Sequence, residues 1–170
     1  MTDLTVNIDI EDPRWQDAIE NIASAILQVK DEVCKRIGNE VDFLDDYHEF
    51  SVNLCLSNDA AVQQLNREFR GKDKPTNVLS FAAIDDEEFD DILQAEKNVG
   101  LGDIIIAYET MQKEAPEQGV SLHDHFCHLW AHGLLHILGY DHITEEEALE
   151  MEQRETDVLH EMGIANPYQE

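Results

Sequence analysis

Residues 121 to 138, SLHDHFCHLWAHGLLHIL, constrain the fold more than any other part of the chain. At about 3.6 residues per turn, Leu122, Phe126, Leu129, Trp130, Leu134, Leu135, Ile137 and Leu138 surround the helix axis on all sides. A helix apolar all round must be buried, so it belongs at the centre of the molecule, against a sheet on one side and helices elsewhere. The same helix carries His125, His128, His132 and His136 at i, i+3, i+7 and i+11. At about 100° per residue these share one stripe roughly 80° wide, and a polar stripe on a buried helix has to serve something.

Around this helix the periodicities place the other elements. Leu4, Val6, Ile8 and Ile10 alternate as a strand, and Pro13 opens a helix running to about Arg36, with Gly38 and Asn39 as its stop. Phe50, Val52, Leu54 and Leu56 form a second strand, followed by a helix capped by Ser57 or Asn58 with Ala61, Leu65 and Phe69 on one face. NVLSFAA and GDIIIAY read as strands, and helices are expected over 109 to 117, 121 to 138 and 144 to 162. The last begins at Thr144 with Glu147 three residues on, a capping box. The expected architecture is α/β (α+β): one domain over 1 to 170, with a small mixed four-stranded sheet, about five helices and the histidine helix buried centrally. The acidic stretch 84 to 98 reads as a solvated loop or insertion.

The start of the chain has no basic segment leading into an apolar core, and no apolar run is long enough to span a bilayer. Cys34, Cys55 and Cys127 are odd in number and form no C-x-x-C pair, which suits reduced thiols in a cytoplasmic protein. With 38 acidic against 11 basic side chains the net charge is -27, so only a local cationic site would hold a phosphate backbone. Arg67, Arg70, Lys72 and Lys74 fall within eight consecutive positions and supply one.

HGLLHILGYDH, residues 132 to 142, places His132 and His136 one helical turn apart, and Gly139 then allows a sharp turn that returns His142 toward them. Three nitrogen ligands with a fourth position open is the arrangement of a catalytic zinc. His125 and His128, further up the helix, are candidates for substrate contacts or for supporting the ligands. Asp141 is a proton carrier or a turn residue. Metzincin peptidases share this histidine spacing but follow the first histidine with a glutamate base; here that place is Gly133, which disfavours amide hydrolysis. A peptidase drawing its base from Asp141 or Asp124 is one alternative, and a non-catalytic assembly factor that uses zinc only to lock its fold is another.

The basic stretch LNREFRGKDKPTNVLSF holds Arg70, Lys72 and Lys74 on a turn fixed by Gly71 and Pro75, where an arginine can grip a phosphate at two points. Together with GDIIIAYE and HFCHLWAHGLLHILGYDHITEEEALEME, it resembles the YbeY family of bacterial endoribonucleases in element order over nearly the whole chain. Asn77, where aspartate is common, and Ala82, where proline often follows S-F, depart from the family pattern. The resemblance implies a single-strand-specific, metal-dependent RNase, a hydrolase acting on RNA and not DNA, in maturation of the 3′ end of the small-subunit ribosomal RNA and in ribosome quality control. It implies His132, His136 and His142 as ligands of one Zn2+, and catalytic roles for Arg70 and His132. Its partners would be ribosomal RNA and the small subunit, reached through ribosomal or assembly-factor proteins.

Overall fold

A computed structural model of the chain describes residues 4 to 168. Four strands form one mixed sheet: β1 (Leu4–Ile10), β2 (Glu49–Ser57), β3 (Val78–Ala82) and β4 (Asn98–Ala107), in the order β1-β2-β4-β3. β1, β2 and β4 run parallel, and β3 lies antiparallel at the edge against β4. Seven α-helices surround it: α1 (Arg14–Ala18), α2 (Ile22–Ile37), α3 (Asp59–Arg70), α4 (Phe89–Ala95), α5 (Tyr108–Gln118), α6 (Leu122–Ile137) and α7 (Glu145–Glu161). Among the described residues no helix is long and apolar enough to cross a membrane.

The sheet turns Phe50, Val52, Leu54 and Leu56 toward α2 and α6. On β4 the inward positions change parity, from Val99 and Leu101 to Ile104 and Ile106. The cause is a bulge opposite β2, where Ser51 pairs with Gly100 but Asn53 pairs with Asp103. Gly102 makes it possible: its φ is 146°, and a Cβ there would lie 2.2 Å from the Phe81 carbonyl oxygen. The other face is covered only in part, by α3, whose Val62 packs with Leu79, Ile105 and Ala107 of the sheet.

α6 is the central element, packed between the sheet and α2, α5 and α7. Trp130 fixes its register on α2 by donating from Nε1 to the Ile26 carbonyl at 3.0 Å. Gly133 lets it approach the sheet, since a Cβ at this position would sit 2.9 Å from Ile104 Cγ2 and 3.2 Å from Ser80 Oγ.

Three expectations need correction. The helix from Pro13 to Arg36 is broken: Asn21 takes a left-handed φ of 54° between α1 and α2, a conformation asparagine tolerates. The buried face of α3 carries Val62 and Asn66, while Phe69 is 65% exposed. The acidic stretch 84 to 98 is not all loop: it contains α4, pinned by buried Phe89, whose ring meets Phe43 edge to face at 5.2 Å. The broken helix and α4 account for seven helices where about five were expected.

Candidate metal centre

His132 and His136 leave α6 one turn apart, with ring centroids 4.7 Å from each other. Past them Gly139 turns the chain at a φ of 105°, donating its N–H to the His136 carbonyl at 3.0 Å, and Tyr140 N–H closes on Leu135 at the same distance. The Tyr140 hydroxyl then donates to Glu40, which also accepts from Arg154, so the turn is anchored at its outer side. Asp141 accepts the His142 N–H at 2.7 Å. His142 is thereby returned to 5.0 Å from His136 and 5.8 Å from His132, ring centre to ring centre. One ring nitrogen from each of the three lies within 4.8 Å of the others.

The donor set suits a metal ion. His132 donates Nδ1–H to Glu155 on α7, so its Nε2 lone pair is the one free for coordination. Burial, with His132 and His142 close by, holds the His136 imidazole below the ordinary histidine pKa, which keeps it in the neutral form a ligand needs. Glu155 is wholly buried. Burial alone would raise its pKa, but His128, His132 and Tyr168 outweigh that and hold the carboxyl at about 2. Tyr168 donates its hydroxyl to the second carboxylate oxygen, and His128 Nε2 stands 3.2 Å from the same hydroxyl.

The three histidines open into a cavity of about 480 Å³ that Arg70, Asn77 and Ser80 also line. Arg70 ends α3, where Gly71 caps the helix with a φ of 68°. One guanidinium nitrogen donates to the Ser80 carbonyl at 2.7 Å and the group lies 5.2 Å over the Phe81 ring, leaving its remaining N–H groups for a ligand. His128, Asp141 and Tyr168 also line this cavity.

Other expected contacts lie elsewhere. Lys72 and Lys74 are exposed on the loop after α3 and outside the cavity lining. His125 is 1% exposed and turned onto Glu114 at 2.9 Å, a carboxylate that also accepts from Asn77. Asp124 lies near the start of α6 beside His123, outside the cavity. The packing of Gly133 on Ile104 explains why no carboxylate follows His132: that position faces the sheet. A second group of potential ligands, Asp9, Glu11 and Cys55, occupies the open face of the sheet. Burial and the neighbouring Glu11 push the Cys55 thiol up to about 12, so it stays protonated and is a poor ligand.

Glu155 and Tyr168 were not singled out from the sequence. Glu155 sits in the acidic run EEEALEMEQRE, but Met151, Glu155, Val158 and Leu159 form a buried helical stripe. A glutamate at an apolar place in the period was the available signal.

The family model described as Endoribonuclease YbeY matches residues 9–163. A protein of that name from Paramagnetospirillum magneticum is 44% identical over 171 residues, covering 98% of this chain and 97% of its own. One from Bartonella bacilliformis is 40% identical over 170 residues, covering 98% of each. One from Rhodospirillum rubrum reaches 55% over 117 residues, or 69% of this chain and 58% of its own. The solution structure of a Thermotoga maritima protein aligns with a TM-score of 0.55 at 19% identity, over 98% of this chain and 100% of that one, and so shares the fold.

Proposed function

Because the chain belongs to the YbeY family of endoribonucleases, we propose that it hydrolyses single-stranded RNA at the three-histidine centre. Its substrate on this reading is ribosomal RNA, in maturation of the small-subunit 3′ end and in ribosome quality control. The observation that supports this most strongly is that the clustered three histidines and Arg70 line one cavity.

His132, His136 and His142 hold one Zn2+, imidazole being a ligand of choice for it. When bound, such an ion supplies a Lewis acid for a phosphoryl oxygen and brings the pKa of a coordinated water toward about 7. Glu155 keeps His132 in the tautomer that offers Nε2. Arg70, held by Ser80 and Phe81, binds the phosphate and stabilises the charge that grows on its oxygens during displacement. His128 touches substrate from the same cavity, and Lys72 and Lys74 act on more distant phosphates from the exposed loop.

The net charge of -27 repels free RNA, so ribosomal or assembly-factor proteins of the small subunit deliver the substrate, in the cytoplasm. In the test, purified protein and its Arg70→Ala and His132→Ala variants are given a single-stranded ribosomal RNA fragment. Each variant loses about 100-fold or more in rate. Equal cleavage by all three would assign the activity to a contaminant.

A further inference from the structure

The cleft does not end at Arg70. This arginine also lines a second hollow of about 590 Å³ on the open face of the sheet, together with Asn53, Phe69, Phe81 and Asp103. Phe69 is 65% exposed there. Single exposed apolar side chains are ordinary, but Phe69 is one of a set. Its ring meets Phe81 at 5.5 Å with the planes 67° apart, and the Arg70 guanidinium lies over Phe81 at 5.2 Å from the ring centre. The two rings make an open corner beside the only cation common to both hollows. Room for a flat group exists beyond it: at Gly100, on the same wall, nothing lies within 4 Å of where a Cβ would be.

Resting on the endoribonuclease reading above, we propose that Phe69 and Phe81 form a stacking subsite for an unpaired nucleobase of the RNA, adjacent to the nucleotide whose phosphate Arg70 holds. Continuity favours this occupant, because a strand whose phosphate lies on Arg70 has its next nucleotide beside this corner. Charge favours the base over the backbone. Asp85, Asp86 and Asp103 line the hollow, so a phosphate there would meet like charge while a neutral ring would not. Asn53 donates to Asp103 at 2.8 Å and accepts from the Asn7 amide at 3.1 Å, which leaves the second lone pair of its oxygen for the edge of a stacked base. Stacking on an aromatic face is indifferent to sequence and needs an unpaired base, so the subsite would itself select single strands.

The test measures equilibrium binding of a short single-stranded oligoribonucleotide by the full chain, in EDTA to prevent cleavage, for wild type, Phe69→Ala and Phe69→Trp. Being exposed, Phe69 can be replaced without disturbing the core. Phe69→Ala binds about tenfold more weakly and Phe69→Trp binds like wild type or better. Oligonucleotides with a single abasic site at each position in turn locate the contact: at one position the wild type weakens and the Phe69→Ala penalty disappears. Parallel cleavage by the metal-loaded protein shows KM rising with Phe69→Ala while kcat is unchanged. Equal binding by wild type and Phe69→Ala, or a penalty that persists at every abasic position, overturns the subsite. So does a Phe69→Ala defect seen with ribosomal particles and not with naked RNA, which would make the corner a protein-docking surface. A wild type that binds but never cleaves RNA would refute the endoribonuclease reading instead, and the binding ratios would still decide on the subsite.

Discussion

Glu155 has no exposure to solvent, and its charge is tolerated only because His132 and Tyr168 hydrogen-bond its two oxygens. Its function is to orient: it fixes which nitrogen of His132 faces the cavity. Glu155→Gln keeps the volume and removes the charge, so metal affinity measured by competition with a chelator should fall about tenfold or more. Unchanged affinity would mean that His132 is oriented by packing alone. This residue was hidden in the sequence by its acidic neighbours, whereas His132, His136 and His142 announced themselves by spacing and by Gly139. Phe69 misled in the opposite way. Placed on the apolar stripe of α3 by its period, it stays 65% exposed beside Phe81 on the open face of the sheet, and Val62 and Asn66 are the buried residues of the helix.

At the scale of elements, strand alternation and helix caps were legible because they depend on neighbours in sequence. Asn58 and Thr144 do accept the N–H groups of Ala61 and Glu147. What could not be read depends on partners far along the chain. α4 exists because Phe89 finds Phe43, and because the Leu93 carbonyl lies 2.6 Å from His48 Nε2. The other ring nitrogen of His48 faces the Asp45 carboxylate at 2.8 Å. Both partners only accept, so the ring satisfies them as imidazolium, and the Leu93 carbonyl followed by Asp45 raises the His48 pKa above its ordinary value. A pKa raised in the folded state adds stability that is complete below the unfolded value of about 6.5 and is lost as pH rises through the folded value. Thermal unfolding of wild type and His48→Gln across pH 5 to 9 should therefore show the wild-type advantage greatest at the acid end and shrinking toward the alkaline end. A constant difference over that range would contradict the charged form.

On the scale of the whole molecule, the fold resolves the conflict between an anionic body and an anionic substrate by confinement. A mixed sheet with α6 packed on one face brings α3, β3, α6 and the turn after α6 to a single cleft. There Arg70 and the three imidazoles line one cavity, and the acids of α4 and α7 are not among its lining residues. The central helix was readable because a sequence apolar on every side has one place to go, and the histidine stripe because it interrupts that pattern. The distance from Arg70 to the histidines in sequence hid the cleft, which closes only when β3 pairs with β4 beneath α6. On the proposed reading, one metal ion held by the three histidines makes this cleft a nuclease. Elemental analysis of the purified protein beside RNA cleavage, for wild type and His136→Ala, tests it most directly. The wild type should carry one zinc per chain and cleave, and the folded variant should lose both. Full cleavage by a metal-free His136→Ala protein would contradict it.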